Sequence, residues 1–214
     1  MTYERRSSVY RKHLAIPLTE AKGGGAEIFR QALKNAAYAL WRGVWDYPAF
    51  LDGFTSALVR GLSNAWYEGA ESVGIKRDEL TDFEMNLLQV GIIEQASYVP
   101  GFGMAIMKGS KENKGKWGAI QPRLGMWVNR YNDFKNRGRA AAHNDPKLKW
   151  VVGPTEKSCK DCQRLNGRVY RASIWRKYDL APRMQKLACK GYFCLCILEP
   201  TTDRCTPGRP PRIG

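Results

Sequence analysis

The sequence predicts a mainly α fold, in which a helical body is followed by a small C-terminal antiparallel β module. Apolar residues recur every three or four positions through much of residues 28–134, which is the period of an amphipathic helix. After residue 146 this period gives way to short extended pieces, and five of the six cysteines of the 214-residue chain fall between residues 159 and 196. The change of period and the crowding of cysteines indicate a separate small module near the C-terminal end.

Four amphipathic helices are predicted before residue 147. A capping box, in which Thr81 precedes Glu84 by three residues, is typical of a helix start, and Pro100 indicates where that helix stops. Glycine and lysine are frequent from Pro100 to Gln121, so we expect an exposed loop there, and the glycine spacing of a phosphate-binding loop is absent. The helical segments run from residue 26 to about 42, from Pro48 to Gly74, from Thr81 to Pro100, and from Pro122 to about His143.

These features divide the chain into four parts. Residues 1–25 are polar and end in a glycine-rich hinge, so we expect a flexible N-terminal arm. Residues 26–147 form the helical domain, and residues 148–200 form the cysteine-rich module, with short strands expected at 149–152, 168–171 and 195–198. Residues 201–214 form a tail rich in proline and arginine, and for residues 207–213 a disordered basic end is favoured over a docking strap. No apolar run reaches about 18 residues, so no membrane-spanning segment is expected.

Two clusters of cysteines predict a metal site. The first is Cys159-x2-Cys162, and after a gap of 26 residues the second is Cys189-x4-Cys194-x-Cys196. A tetrahedral Zn2+ takes four ligands and a single turn presents about two of them, so two close clusters are the arrangement that the ion requires. Cys194 and Cys196 alternate by two and would point to one face of a strand. We therefore predict a zinc-knuckle-like module with a structural Zn2+ as cofactor and metal ligands among these five cysteines.

Other interpretations of the cysteines stay open. Disulfides would be expected in a secreted protein, but the first 18 residues are too polar to supply the apolar core of a secretion signal. Thiols that bind no metal and pack in the core are the second alternative. Cys205 lies beside the proline-rich tail and is not included among the ligands. If only four cysteines bind the metal ion, the ligands of first choice are Cys159, Cys162, Cys189 and Cys194, with Cys196 as the substitute for one of them.

The chain is strongly basic, with 35 Lys and Arg against 20 Asp and Glu and a net charge of +15. Residues 151–214 hold 13 basic and 5 acidic residues, so +8 of this excess belongs to the C-terminal part. Such a surface favours nucleic acid or another polyanion as a partner, although it also suits a protein that docks on an acidic partner. The predicted nucleic-acid-binding residues are Arg164, Arg168, Arg171, Arg176, Lys177, Lys186 and Lys190.

The order of motifs in the C-terminal module resembles a known signature. It runs from Lys149-Trp150-Val-Val through Cys159-x2-Cys162-x2-Leu165-Asn166-Gly167 to Cys189-x4-Cys194-Leu195-Cys196-Ile197-Leu198. This order resembles the C-terminal region of the phage Mu F-like head morphogenesis, or minor head protein, family, where a tryptophan precedes C-x2-C-x2-L-x-G and a terminal H-P-x-C-R-C. Here Cys189 replaces the usual histidine, four residues instead of two separate it from the next cysteine, and Leu195 replaces an arginine. The exchange of histidine for cysteine preserves a metal ligand.

The resemblance implies a structural, portal-associated component of a tailed-phage virion that takes part in head assembly. The implied partners are the portal or major capsid protein and packaged double-stranded DNA, with a homo-oligomer or symmetric copies in the particle. The implied location is the virion, and the host cytoplasm during assembly. The alternative is a zinc-stapled DNA-binding or nucleolytic protein that acts outside the particle.

Catalytic activity is not predicted. The sequence has two histidines, His13 and His143, and it lacks the paired H-x-E and P-C-x2-C motifs of a zinc-dependent deaminase. A nuclease of the H-N-H type would require several histidines. His143 is expected to be a residue at a helix end, and a metal ion held by four or five thiolates keeps no open position for chemistry.

Overall fold

A computed structural model describes residues 24–154, 158–184, 186–191 and 194–213. The arm predicted for residues 1–25 therefore lies almost entirely outside the described residues. The chain folds as two compact units. Unit 1 consists of Met1–Ala65 and Gln89–Tyr131, and unit 2 consists of Trp66–Leu88 and Asn132–Gly214. Unit 2 thus includes the cysteine-rich segment and also two stretches that the sequence assigned to the helical domain.

The fold is mainly α, as predicted, because 58% of the residues that the structure describes are helical and the sheet is small. The capping box is present, since the Thr81 amide donates to Oε2 of Glu84 at 2.8 Å and the Glu84 amide donates to Oγ1 of Thr81 at 3.3 Å. The five longer helices are α1 (Gly25–Trp41), α2 (Tyr47–Glu71), α3 (Asp82–Ser97), α4 (Val99–Lys108) and α5 (Gln121–Ala141).

Helix α4 was not predicted and replaces the first half of the expected loop between Pro100 and Gln121. Pro100 lies in the first turn of this helix, where its missing amide hydrogen is not needed, so it starts a helix as well as ending one. Val99, Phe102 and Ile106 are buried at helical spacing, and this burial offsets the low helix propensity of the glycines. The prediction of a loop was therefore wrong for residues 100–108.

Unit 1 is built around a cluster of aromatic rings. The ring of Trp127 makes edge-on contacts with Phe54 and Phe102, at centroid distances of 5.0 and 4.7 Å. The ring of Phe29 lies 5.7 Å from that of Tyr131. These rings come from α1, α2, α4 and α5, so aromatic side chains pack these four helices together.

Unit 2 contains the small antiparallel sheet that the sequence predicted. Its strands are β1 (Lys147–Val151), β2 (Val169–Arg171) and β3 (Ile197–Pro200), in the order β2-β1-β3. Two short helices, α6 (Lys160–Leu165) and α7 (Ala172–Lys177), were not predicted and flank β2 along the chain. Trp150 and Trp175 are fully buried in this core with their rings 5.6 Å apart, and Trp175 Nε1 donates to a β1 carbonyl at 3.0 Å.

Both outer edges of the sheet have hydrogen-bond partners. At β3, Oδ1 of Asn136 accepts from the Leu198 amide at 3.1 Å, and Arg139 donates to the Leu198 carbonyl at 2.7 Å. At β2, the Thr206 amide donates to the Val169 carbonyl at 2.8 Å. The chain is therefore bound along the sheet as far as residue 206, directly before residues 207–213, for which a disordered end was favoured.

Two glycines allow close backbone contact within unit 2. A Cβ atom on Gly69 of α2 would lie 2.1 Å from the carbonyl oxygen of Lys135 in α5. A Cβ atom on Gly138 of α5 would lie 2.3 Å from the carbonyl oxygen of Trp66 in α2. Side chains at either position would separate these segments, which support the sheet through Asn136 and Arg139 of α5.

Candidate metal centre

The first cysteine pair is positioned by the start of α6. Cys159 is the N-cap of this helix, and its Sγ accepts a hydrogen bond from the Cys162 amide at 3.4 Å. A sulfur in this position takes the place of the oxygen of a usual N-cap residue. Cys162 lies three residues later, in the first turn, and is 1% exposed. The C-x2-C spacing thus brings both sulfurs to the same end of one short helix.

The second cysteine segment converges on the first. Two sets of three sulfurs each lie with all members within 4.8 Å of one another, and both sets contain Cys162. One set adds Cys159 and Cys189, and the other adds Cys194 and Cys196. The prediction that Cys194 and Cys196 face the same way is consistent with their shared set, although both precede β3. All five predicted ligands therefore belong to one cluster of thiols in unit 2.

The geometry of this cluster fits a thiolate-bound metal ion. Sulfurs bound to one tetrahedral Zn2+ at about 2.3 Å lie about 3.8 Å apart. The Sγ atoms of Cys162 and Cys194 are 4.0 Å apart, which is close to that separation and far longer than a disulfide bond of about 2.0 Å. All six cysteines, Cys205 included, are free thiols in the structure. The clustered cysteines can thus hold a metal ion.

Burial raises the pKa of the thiols, and hydrogen bonds from backbone amides lower it. Burial raises the pKa of Cys159, but hydrogen bonds from the amides of Cys162 and Cys189 outweigh it and hold that pKa below its usual value. Burial raises the pKa of Cys189 to about 12, against the lowering effect of the Gly191 amide. Cys162 and Cys194 contact each other, and this contact lowers the pKa of Cys194 and raises the pKa of Cys162. Neighbouring thiolates repel one another, so a bound cation would favour deprotonation of the whole set.

Sequence reasoning missed Asp161, which joins the two cysteine segments. Its side chain is fully buried, and its Oδ2 accepts a hydrogen bond from the Ala188 amide at 2.7 Å, directly before Cys189. Its other oxygen, Oδ1, is buried without a hydrogen-bond partner among the described residues. The signal in the sequence was an acidic residue between Cys159 and Cys162, in the first turn of a helix where a carboxylate is favoured.

The one histidine among the described residues lies away from the cysteine sets. His143 follows α5 by two residues, so the prediction of a position at a helix end is correct. Its amide donates to Oε1 of Glu84 at 3.0 Å, and its Nδ1 lies 3.2 Å from Oε2. This contact joins the end of α5 to the start of α3 and gives the histidine a structural partner.

The seven predicted nucleic-acid-binding cations fall into two groups. Three of them make contacts within unit 2: Arg171 donates to a carbonyl before β1 at 3.0 Å, Arg176 is half-buried and donates to a carbonyl near the end of α5, and Lys186 lies 2.6 Å from Asp179. The other four are exposed, and their side chains have no hydrogen-bond or ion-pair partner in the part of the chain that the structure describes. These four are Arg164, Arg168, Lys177 and Lys190.

Comparison of the chain with protein-family models, with curated proteins and with solved structures gave no match. The resemblance described from the order of the cysteines therefore stays a prediction. Among the described residues, none of the helices combines the length and the apolar character that crossing a membrane requires.

Proposed function

We propose that unit 2 holds one structural Zn2+ ion through thiolates of the five-cysteine cluster. The observation that supports this most directly is the position of Cys162, whose sulfur belongs to both three-sulfur sets. We expect Cys162 to be a ligand, together with sulfurs from both ends of residues 159–196. A bound ion would then join α6 to the segment before β3 across β2 and α7.

Zinc is the metal we propose because all the donors in the cluster are sulfurs. Thiolates are soft ligands, and four of them fill a tetrahedral Zn2+ without leaving an open position. A closed site of this kind stabilises a fold and does not activate water. The function we propose is therefore structural and not enzymatic.

We further propose that the chain is a minor head protein of a tailed phage that contacts packaged DNA. The order of tryptophan, C-x2-C and the later cysteines supports this, because it resembles that family. The exposed cations of unit 2 support the DNA contact, because Arg164, Arg168, Lys177 and Lys190 have charges that nothing in the described chain neutralises.

The metal proposal is tested by elemental analysis of Cys159→Ser beside Cys205→Ser. Cys205 is half-buried and lies outside both sulfur sets, so it is a matched control for loss of a thiol. We expect about one zinc per chain in the wild type and in Cys205→Ser, and a large loss in Cys159→Ser together with unfolding from about residue 150. Equal zinc in all three proteins would reject Cys159 as a ligand. Iron in place of zinc would indicate an iron–sulfur centre and reject the choice of metal.

The DNA proposal is tested by binding to naked duplex DNA at different salt concentrations. If the four free cations each contact one phosphate, the affinity should fall about 100-fold between about 50 and 200 mM salt. The slope of log affinity against log salt concentration should become shallower by about one in Arg168→Gln and in Lys190→Gln. Lys34 is an exposed cation of unit 1, so Lys34→Gln should leave that slope unchanged. A flat salt response would reject direct DNA contact.

Location separates the proposed function from its alternative. A head protein should be present at a fixed copy number in purified particles. A protein that acts outside the particle should be missing from them, and a nucleolytic one should cut duplex DNA in solution. Either of these two results would reject the role in the head while leaving the metal proposal intact.

A further inference from the structure

Unit 1 contains an open groove that is separate from the thiol cluster. The groove has a volume of about 860 Å3 and is lined by the end of α1, the turn between α1 and α2, and the end of α4 with the loop that follows it. A volume in this range is enough for several side chains of a bound segment. All of the lining residues belong to unit 1.

The walls of the groove expose large apolar side chains. Trp45, Met104 and Met107 line it and are 36, 57 and 40% exposed. The six-membered ring of Trp45 lies against Gly53 of α2, where a Cβ atom would approach it to 2.6 Å. This contact fixes the position of the indole, while the two methionines can adapt to the shape of an apolar partner.

Three cations on the groove have no carboxylate partner among the residues that the structure describes: Arg42, Lys108 and Lys111. Two carboxylates also line the groove. Oδ1 of Asp46 accepts a hydrogen bond from the Ala49 amide at 2.8 Å in the first turn of α2, which fixes the position of that carboxylate. The groove therefore combines apolar walls with three cations against two carboxylates, which is complementary to a segment that carries both apolar and acidic residues.

The basic side of the groove is held in place by hydrogen bonds. Trp41 Nε1 donates to the carbonyl of Gly109 at 2.9 Å, and the Lys111 amide donates to the Trp41 carbonyl at 3.0 Å. The side-chain amide of Asn113 donates to the Met107 carbonyl at 2.9 Å. This part of the predicted loop is thus fixed against α1 and α4. A preformed surface loses less conformational entropy on binding than a flexible loop would.

The groove is less suited to nucleic acid than to a peptide. Tyr38 stacks on Trp41 at 5.6 Å, and Trp117 contacts both rings at 5.0 and 5.7 Å, so these rings already pack against one another. The six-membered ring of Trp45 lies against Gly53 of α2, so this ring is also engaged within the fold and is less available for stacking of bases.

We propose that this groove binds an apolar segment of a partner protein in which carboxylate side chains flank the apolar residues. The apolar side chains contact Trp45, Met104 and Met107, and the carboxylates pair with Arg42, Lys108 and Lys111. This binding does not depend on the metal centre or on contact with DNA.

The test uses the full chain with its metal and a fluorescein-labelled helical peptide with Leu and Phe on one face and Glu on the other. A second peptide has Lys at every Glu position, and a single-stranded oligothymidine serves as the nucleic-acid probe. Fluorescence anisotropy should show saturable binding of the acidic peptide, at least about tenfold tighter than that of the basic peptide. Equal affinity for the two peptides, no binding of the acidic peptide, or displacement of that peptide by the oligonucleotide would overturn the proposal.

Variants then assign the binding to the groove. Met107→Glu and Lys108→Glu should each weaken binding of the acidic peptide about tenfold or more. Met126→Glu is the matched control, because Met126 is 46% exposed and does not line the groove, and its affinity should equal that of the wild type. Trp45→Phe keeps an aromatic ring against α2 and should weaken binding while circular dichroism and zinc content stay unchanged. Equal affinity in the groove variants and in Met126→Glu would overturn the proposal.

Discussion

Replacement of Glu84 by glutamine tests the buried carboxylate that joins the start of α3 to the segment after α5. The Glu84 side chain is 1% exposed, and its Oε2 accepts hydrogen bonds from the amide and the hydroxyl of Thr81 at 2.8 and 2.6 Å. Its Oε1 accepts from the His143 amide at 3.0 Å. Glutamine has the same size but presents an NH2 group in place of one of these oxygens. In either orientation of the amide, at least one of these donors faces an NH2 group instead of an acceptor at this part-buried contact.

The loss of one buried acceptor should lower the free energy of unfolding by about 1–3 kcal/mol. For a chain of this length each kcal/mol lowers the Tm by about 2–4 °C, so we expect a decrease of about 2–12 °C at pH 7. Glu94→Gln is the matched control, because Glu94 is an exposed residue of the same helix, and we expect its change to stay within about 0.5 kcal/mol. Thermal unfolding followed by circular dichroism measures both variants.

The same contact predicts a dependence on pH. Burial alone would raise the pKa of Glu84, but the hydrogen bonds from Thr81 and His143 outweigh it and hold that pKa below its usual value of 4.5. A carboxyl group with a lowered pKa in the folded state stabilises the fold above pH 4.5, and this contribution is lost as the pH falls through the folded pKa. The difference in unfolding free energy between wild type and Glu84→Gln should therefore shrink toward low pH. A difference that is the same at neutral and acidic pH, or a Glu84→Gln variant as stable as Glu94→Gln, would refute the reasoning.

Three further substitutions test how unit 2 is held together. Gly69→Ala should destabilise the chain by about 1–3 kcal/mol in denaturant unfolding, because its Cβ would contact a carbonyl oxygen of α5, whereas Gly125→Ala, which has open space, should be neutral or stabilising. Asp161→Asn should weaken zinc binding about 10–100-fold in a chelator competition, because a neutral amide oxygen would replace the carboxylate as the acceptor of the Ala188 amide. An unchanged affinity would show that Asp161 does not support the metal site. Asn136→Ala should lower the free energy of unfolding by about 1–3 kcal/mol, because it leaves a buried β3 amide unpaired, and equal stability would contradict that account.

The convergence of the thiols could be predicted because the spacing of soft ligands along a chain carries its own geometric requirement. Two cysteines three residues apart fit one helical turn, and a second cluster must approach them if both bind one ion. The same reasoning made Cys194 the first choice and Cys196 the substitute, and the fold does not decide between them. Both lie in one set with Cys162 in the fold, and four ligands are enough.

Other features could not be read from the sequence for physical reasons. Helices α6 and α7 have six residues each, which is too short for a helical period to appear. In the sequence Pro100 indicates the end of a helix, but proline is equally suited to the first turn of the next one. The hydrogen bonds of Asp161 and Thr206 depend on residues distant in the chain, and a single sequence gives no information about such pairs.

X-ray absorption spectroscopy at the zinc edge of the purified wild-type chain, combined with its metal content, tests the metal centre most directly. We expect about one zinc per chain, surrounded by four sulfurs at about 2.3 Å and by no nitrogen or oxygen ligand. A folded chain that contains no metal, or one in which Cys159, Cys162, Cys189, Cys194 and Cys196 have formed disulfides, would contradict the account.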